Sequence, residues 1–221
     1  MGQNGKLAAR LRGAVEKPLE RWREVYESFS PLDLETGERR PRVPEPGTDC
    51  RRAAVLVPIL LDSGEARVVY TLRTGDLPDH AGQVSFPGGS PEPQDESLLA
   101  TALREAEEEV DLDPDLVEVI GELEDMYIPP SRFLVRPFVG LLREEAELVL
   151  APEEVEDIFS VSLEELMAPE AFEKVVWERE VRPHEVTIFA VGGREIWGAT
   201  AAMTAGLLAR LGWEPGGTTR T

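Results

Sequence analysis

Runs of apolar residues predict the strands of this chain. Ala53–Leu61 is apolar at every position, which is typical of a strand that is buried on both faces. Ser63-Gly64-Glu65 then provides a turn into a second strand. The same reasoning predicts the remaining strands, which are Arg67–Leu72, Val117–Leu123, Phe133–Leu142, Glu147–Leu150, Val175–Trp177, Val186–Val191 and Glu195–Trp197.

Helical periodicity is clearest at Leu98–Val110. Its predicted buried face consists of Leu99, Leu103, Ala106 and Val110. Residues 6–29 have an amphipathic pattern rich in Arg and Glu, which Pro18 should kink or divide. Further helices are predicted at Leu163–Met167 and Ala199–Leu211. Strands around a central helix, with another helix at the end, indicate a layered α+β or α/β domain.

Proline and glycine divide the chain into segments. The 221 residues suit one domain with an additional arm. We expect an N-terminal helix and Pro-rich arm at 1–50, one α/β domain at 51–213 and a flexible tail at 214–221. Gly75–Ser97, which is rich in Gly, Pro and polar residues, is expected to be a loop before the central helix.

Composition restricts the partners. The chain has 43 acidic and 23 basic residues, a net charge of -20, which argues against nucleic acid and anionic membranes because both need a basic face. Cys50 is the single cysteine, and His80 and His184 are the two histidines. An internal disulfide and a metal site rich in cysteine or histidine are therefore excluded. No signal peptide or membrane-spanning stretch is visible, so we expect a cytoplasmic protein.

The acidic residues are concentrated in two segments. Residues 92–125 hold 14 acids and one base, and residues 144–173 hold 11 acids and no base. The rest of the chain carries a net charge of +4. Acidic segments are usually solvated surfaces. The alternative is that the two segments together form a cation site.

The predicted helix Leu98–Val110 places Glu105, Glu108 and Glu109 close together, because they are spaced by three and four residues. They lie near the C-terminus of the helix, where the helix dipole is already negative, and Arg104 offers the only local compensation. Uncompensated repulsion of this kind is typical of a functional site. A divalent cation such as Mg²⁺ or Mn²⁺ would relieve it. Spacing alone leaves a solvated acidic face as an equally good interpretation.

The segment Gly89–Leu112 resembles the Nudix box, in which a glycine and a glutamate precede Arg-Glu-x-x-Glu-Glu on a helix. Here Gly89 and Glu96 precede the run Arg104-Glu105-Ala106-Glu107-Glu108-Glu109. The interval from Gly89 to Glu96 is one residue longer than the common pattern, and Asp111 replaces a glycine. The resemblance implies a Nudix-type α/β/α sandwich with a mixed sheet and a central catalytic loop–helix.

A second motif resembles the signature of the coenzyme A pyrophosphatase subgroup. Its parts are Thr71-Leu72-Arg73-Thr74, Gly82-Gln83-Val84-Ser85-Phe86-Pro87-Gly88-Gly89 and, further along, Ile196-Trp197-Gly198-Ala199-Thr200-Ala201. All spacings within the first two parts agree with the signature. Val69-Tyr70 replace two leucines, Thr74 replaces Ser or Ala, and Pro78 replaces a second arginine.

The Nudix resemblance implies hydrolysis of a nucleoside diphosphate derivative with Mg²⁺ or Mn²⁺. The implied metal ligands are Glu105, Glu108 (a ligand or a base), Glu109 and a backbone carbonyl of Gly89 or Gly88. Arg104 would orient the glutamates, mainly through Glu108, and Glu96 would support the start of the helix. Glu154 is our choice for a further catalytic glutamate. The alternatives are that Glu153 or Glu156 has this role, or that Glu154 is a plain surface acid.

The subgroup resemblance implies cleavage of coenzyme A into 4'-phosphopantetheine and adenosine 3',5'-bisphosphate. Arg73 is a candidate ligand for the substrate phosphates, the alternative being a surface arginine at the end of a strand. His80 either approaches the substrate or caps its own loop. ADP-ribose, NADH or another nucleoside diphosphate derivative is the alternative substrate, and a non-catalytic nucleotide-binding module is the alternative of another class. Trp22 and the N-terminal helix either cover the domain or form a homodimer contact.

Overall fold

The computed structural model describes residues 2–75, 82–143, 146–178, 182–215 and 218–219. The helices in these ranges are α1 (Gln3–Val15), α2 (Trp22–Ser28), α3 (Leu98–Val110), α4 (Leu163–Met167) and α5 (Gly198–Arg210). The strands are β1 (Leu32–Asp33), β2 (Arg51–Asp62), β3 (Glu65–Arg73), β4 (Val84–Ser85), β5 (Gly88–Gly89), β6 (Val117–Glu122), β7 (Met126–Ile128), β8 (Phe133–Leu142), β9 (Val155–Ser162), β10 (Phe172–Trp177), β11 (His184–Val191), β12 (Arg194–Trp197) and β13 (Thr218–Thr219). None of the described helices has the length and apolarity that a membrane crossing requires.

The larger of two sheets is mixed and carries the site described below. Its main strand order is β4-β3-β2-β8-β6, with β9 beside β3, β5 beside β2 and β7 beside β8. β2 runs parallel to β8 and antiparallel to β3. The smaller sheet has the order β1-β11-β10-β13, with β12 paired to β11.

The side chains of β2 alternate between two hydrophobic clusters. Ala54 and Leu56 pack in the cluster that contains α3, whereas Ala53, Val57 and Ile59 pack in the cluster that contains α1, α2 and α5. A strand that is buried on both faces needs apolar side chains at nearly every position, which explains the unbroken run in the sequence. Helices therefore cover both faces of the sheet, and the predicted α/β/α sandwich is confirmed.

The N-terminal segment shares the core of the domain. Leu11 of α1 and Tyr26 of α2 are fully buried, and Phe29 stacks on Phe189 of β11 with ring centroids 5.1 Å apart. The two helices separate around Pro18, as its missing N–H and fixed backbone predict. The interior of the protein thus extends into residues 1–50.

Helix α3 has the predicted boundaries because both ends are marked locally. The Ser97 side chain accepts a hydrogen bond from the backbone N–H of Ala100, and Asp111 ends the helix in the left-handed conformation. The predicted buried face is only partly right. Leu99 and Leu103 are half-buried, and the other fully buried positions are Thr101, Ala102 and Glu109, because β2 and β5 pack against the side of the helix that carries them.

The predicted strand Glu147–Leu150 is wrong. This segment has no regular secondary structure, and its backbone meets the end of α3 instead of a sheet. The N–H of Val149 donates to the carbonyl of Val110, and the N–H of Ala151 donates to the carbonyl of Glu109. Residues 149–151 thereby satisfy two carbonyls that the end of a helix leaves unpaired.

We expect Tyr26→Phe to lower the free energy of unfolding by about 1–2 kcal/mol. The Tyr26 hydroxyl donates to the backbone carbonyl of Glu124 at 3.1 Å, and the substitution leaves that carbonyl without this donor. Urea unfolding at equilibrium measures the change. Tyr127→Phe is the matched control, because the Tyr127 hydroxyl makes no hydrogen bond within the described part of the chain. Equal stability of the Tyr26→Phe variant and the wild type would contradict the expectation.

Candidate active site

Two glycines bring the backbone against the acidic side chains of α3. Gly88 and Gly89 form β5, which pairs with β2. A Cβ atom on Gly89 would overlap the carboxylate of Glu105, and a Cβ atom on Gly88 would overlap the backbone carbonyl oxygen of Ala54. Gly88 also has a φ of 156°, and its N–H donates to Glu109 at 3.3 Å. The absence of a side chain at Gly89 leaves space for the Glu105 carboxylate, and its absence at Gly88 allows the close approach to β2.

Glu109 is a buried acid, with 2% of its surface exposed. Its carboxylate forms an ion pair with Arg73 at 3.2 Å and accepts the hydrogen bond from Gly88. Burial raises the pKa of Glu109 to about 7, although Arg73 and the Gly88 N–H both lower it. The neighbouring charges of Glu105 and Glu154 raise it further. Burial therefore outweighs the attraction of Arg73, and the ionised carboxylate of Glu109 is unfavourable in this site.

Glu105 is the second acid at the glycines. Burial raises its pKa, the neighbouring Arg104 partly opposes that effect, and the charges of Glu108 and Glu154 add to it. Arg104 contacts Glu105 at 3.0 Å and Glu108 at 2.8 Å. The side chain of Glu108 is 57% exposed, so Glu108 lies at the rim and Glu105 lies inside.

Asp95, which was not among the predicted site residues, holds Arg104 in place. The Arg104 guanidinium donates to both oxygens of Asp95, at 3.1 Å and 3.0 Å, and also to the carbonyl of Ser90. Arg104 and a backbone N–H donated by Glu92 lower the pKa of Asp95 to about 2. Glu96, the residue expected to support this region, is exposed and has no hydrogen bond or ion pair among the described residues.

Backbone contacts hold Glu154 beside the two inner glutamates. The N–H of Ala151 bonds to the carbonyl of Glu109 in α3, and the N–H of Thr74 bonds to the carbonyl of Glu154 at 3.0 Å. The 151–155 segment therefore lies between the ends of α3 and β3. The Glu154 side chain is exposed, and its charge raises the pKa of both Glu105 and Glu109.

The end of β3 has two buried polar atoms without partners in the described part of the chain. They are Nε of Arg73 and Oγ1 of Thr74. Both residues precede the segment 76–81, which lies outside the described residues and includes the predicted substrate residue His80. Buried polar atoms without partners carry a free-energy cost, so their presence beside Glu109 is typical of a site that acquires ligands.

A divalent cation fits the donor set at this site. Glu105, Glu109 and Glu154 supply carboxylates. Gly88 and Gly89 carry no side chains that would occupy the space beside them. Oxygen donors of this kind suit Mg²⁺ and Mn²⁺. Within the described ranges no three acidic, histidine or cysteine side chains are already assembled around a common point. Burial, and to a smaller extent neighbouring glutamates, raises the pKa of Glu105 and of Glu109, and a bound cation would favour the ionised form of both.

Comparison with known proteins identifies the family. The NUDIX domain matches residues 51–184. The chain is 40% identical over 153 residues to the uncharacterized Nudix hydrolase NudL of Photorhabdus laumondii. The matched region covers 69% of this chain and 81% of that protein. The chain is 37% identical over 169 residues to the protein of the same name from Pectobacterium atrosepticum. This match covers 75% of this chain and 85% of the relative.

A MutT/nudix family protein from Enterococcus faecalis is similar in structure, with a TM-score of 0.49 and 14% identity over 76% of this chain and 64% of that one. The sequence matches extend over more than half of the chain and include β5 and α3. On these matches the chain belongs to the Nudix hydrolase family.

Proposed function

We propose that this chain is a coenzyme A pyrophosphatase. Family membership supports a hydrolase of nucleoside diphosphate derivatives. The finer assignment is supported by the meeting of three separate parts of the subgroup signature at the short strand β4, which lies just before β5 in the sequence. We therefore assign coenzyme A as the substrate, with 4'-phosphopantetheine and adenosine 3',5'-bisphosphate as products.

The contacts at β4 support this assignment. Thr71 and Leu72 pair with Ser85 and Val84, and the Thr71 hydroxyl lies 2.9 Å from the hydroxyl of Ser85. From the third part of the signature, the Thr200 hydroxyl donates to the carbonyl of Val84 at 3.0 Å. Thr200 is 116 residues from Val84 in sequence, and a shared structural unit gives a physical reason for the occurrence of the three segments together.

The residues of the chain have distinct roles in this reaction. Water attacks one phosphorus, and the bridging P–O bond breaks to leave two phosphate monoesters. Mg²⁺ or Mn²⁺, when bound, polarises phosphate oxygens and lowers the pKa of the attacking water. Glu105, Glu109 and Glu154 would hold the cation, together with a glycine carbonyl of β5. Arg73, whose Nε is unpaired among the described residues, would bind a phosphate oxygen.

Arg104 acts as the positioning group for the glutamates. It is fixed by Asp95 and the carbonyl of Ser90, and it contacts both Glu105 and Glu108. Because four contacts fix its guanidinium, Arg104 limits the directions in which the Glu105 carboxylate can point. Glu108 at the rim is open to solvent and would bind a cation or accept a proton from the attacking water.

A substrate panel tests the proposal. The purified chain is incubated with coenzyme A, ADP-ribose and NADH, each with Mg²⁺ or Mn²⁺, and the products are separated by chromatography. We expect coenzyme A to have the highest kcat/KM and to give the two named products. Faster cleavage of ADP-ribose or NADH would assign the chain to another substrate, and no cleavage of any diphosphate would favour a binding module.

We expect Asp95→Asn to lower kcat about ten-fold, because Arg104 loses its charged anchor and Glu105 loses orientation. Steady-state hydrolysis of coenzyme A measures the change. Glu96→Gln is the matched control, since it alters the adjacent, exposed acid and should leave kcat within two-fold. A larger effect of Glu96→Gln than of Asp95→Asn would contradict the role of Asp95.

A further inference from the structure

The two glycines at the glutamates belong to a short segment, residues 84–89, which contains both β4 and β5. Its second half is held by β2, because Gly88 and Gly89 pair with that strand and the carbonyl of Pro87 accepts a hydrogen bond from the N–H of Leu56. Its first half has less support from the sheet. β4 has two residues and, among the described strands, pairs with β3 alone. Contacts that fix β4 therefore bear on how the chain approaches the glycines.

Helix α5 supplies a side-chain partner for β4. Thr200 lies in the first turn of this helix, and its hydroxyl donates to the backbone carbonyl of Val84 at 3.0 Å. Both residues are buried. A buried carbonyl that loses its donor carries a free-energy cost, so this hydrogen bond ties β4 to the helix.

Two further buried hydroxyls connect Thr200 to β3. The Thr204 hydroxyl donates to the backbone carbonyl of Thr200 at 2.9 Å, and it lies 3.1 Å from the hydroxyl of Tyr70. Because a hydroxyl carries one hydrogen, Thr204 uses its own on Thr200 and accepts the hydrogen of Tyr70. The hydrogen bonds therefore run from Tyr70 in β3 to Thr204 and Thr200 in α5, and from Thr200 to β4.

The ring of Tyr70 provides a second contact with residues 84–89. It stacks on Phe86 with ring centroids 5.1 Å apart, and on Phe159 with ring centroids 5.5 Å apart. Tyr70 takes the place of a leucine of the subgroup signature, and leucine has neither the aromatic ring nor the hydroxyl. In this chain one side chain of β3 thus contacts both α5 and the segment that leads to the glycines.

We propose that Thr200 is a positioning residue of the active site, which holds β4 so that the backbone of Gly88 and Gly89 keeps its place at the glutamates. The N–H of Gly88 donates to Glu109, and a Cβ atom on Gly89 would overlap Glu105. A displacement of this backbone therefore disturbs both acids. The inference rests on the proposed function, in which the glutamates and a carbonyl of β5 hold the cation, but not on coenzyme A as the substrate.

Thr200→Val tests this role, because valine has nearly the shape of threonine and lacks the hydroxyl. We expect kcat for the best substrate of the panel to fall about ten-fold, since displacements of about 1 Å at a reaction centre can cost this much. Thr200→Ser keeps a hydroxyl and should keep kcat within two-fold of the wild type.

Thr187→Val is the matched control for stability. The Thr187 hydroxyl is also buried and donates to a backbone carbonyl, that of Ser28, at 2.8 Å, but it belongs to β11 of the smaller sheet. Thr187→Val and Thr200→Val remove the same kind of hydrogen bond, so we expect both to lower the unfolding temperature. Only Thr200→Val should lower kcat, and Thr187→Val should keep it within two-fold.

Binding of Mn²⁺ in the absence of substrate gives a readout that does not depend on the reaction. Electron paramagnetic resonance measures the free Mn²⁺. We expect the dissociation constant to rise at least three-fold in Thr200→Val and to stay within two-fold of the wild type in Thr187→Val. If the wild type cleaves no diphosphate, the proposed function fails, whereas a selective loss of Mn²⁺ affinity in Thr200→Val would still support the role of Thr200.

Other results would overturn the role of Thr200. Equal losses of kcat in Thr200→Val and Thr187→Val would show that activity merely follows stability. An unchanged kcat in a folded Thr200→Val variant would show that the hydrogen bond to Val84 has no bearing on the site. If Thr200→Val does not fold, as judged by circular dichroism, Thr200→Ala replaces it, because alanine needs less space and is the best helix former. The same ten-fold loss of kcat is then expected, and its absence would overturn the inference.

Discussion

Glu109→Gln should make the metal-free protein more stable at pH 8 while it abolishes hydrolysis. The substitution keeps the size of the side chain and a carbonyl oxygen that can accept the hydrogen bond from Gly88. It removes a negative charge that is 2% exposed and that Arg73 balances only in part. Stability and activity are therefore expected to change in opposite directions, as is common for residues of active sites.

The pH dependence follows from the pKa of Glu109. Burial raises this pKa from the ordinary 4.5 to about 7 in the folded protein. The folded state thus binds a proton more tightly than the unfolded state, and its stability falls as the pH rises from about 4.5 to about 7. The full cost of ionising the buried carboxyl is on the order of 3 kcal/mol. Glutamine does not ionise, so Glu109→Gln should lack this fall.

Chemical unfolding from pH 5 to pH 8 without divalent metal measures the effect on stability. We expect the variant to exceed the wild type by about 1–3 kcal/mol at pH 8 and the difference to shrink towards pH 5, where the wild-type carboxyl is protonated. The attraction between Glu109 and Arg73 is already included in this cost, because Arg73 is one of the groups that lower the pKa of Glu109. Addition of Mg²⁺ at pH 8 should raise the stability of the wild type and have little effect on the variant.

The activity of Glu109→Gln should fall at least about 10³-fold, because a cation bound with one carboxylate fewer supplies less charge stabilisation. Glu107→Gln is the matched control, since Glu107 lies on the same helix and is exposed. It should leave kcat within two-fold and stability within about 0.5 kcal/mol. A Glu109→Gln variant that hydrolyses coenzyme A at the wild-type rate would remove Glu109 from the reaction.

Local sequence signals were sufficient for the main elements. The apolar run at 53–61 predicts β2 because both faces of that strand are buried, and the periodicity of 98–110 predicts α3 because one side packs on the sheet. The Nudix box also identified the acids that the fold brings to the glycines. Strands of two or three residues, such as β4, β5 and β7, were missed because their pairing depends on neighbouring strands rather than on their own pattern.

The details that were not predicted arise from tertiary contacts. Glu109 becomes a buried residue only because β5 passes beside α3, and no helical pattern of acidic residues indicates that. Asp95, and not Glu96, meets Arg104 because of the conformation of the loop before α3. One signal for Asp95 was present, since it follows Gly89 at the common interval of the Nudix box, one residue before Glu96.

Gly89→Ala should lower kcat about 100-fold with little loss of stability. The added Cβ would overlap the carboxylate of Glu105, which must move away from the site, and displacements of about 1 Å can reduce catalysis by this factor. Gly89 has no positive φ, so alanine should fit its backbone conformation. Steady-state hydrolysis and thermal unfolding of the same sample measure the two effects.

Gly88→Ala separates the requirement for space at Glu105 from the requirement for a special backbone. Its Cβ would meet the carbonyl oxygen of Ala54 within the sheet, and its φ of 156° is strained for alanine, so we expect loss of stability as well as activity. Gly13→Ala in α1 is the control, because nothing lies near its added Cβ. If Gly89→Ala kept kcat within two-fold, the position of the Glu105 carboxylate would not limit the reaction. If it instead unfolded as readily as Gly88→Ala, the second glycine would serve the sheet rather than the site.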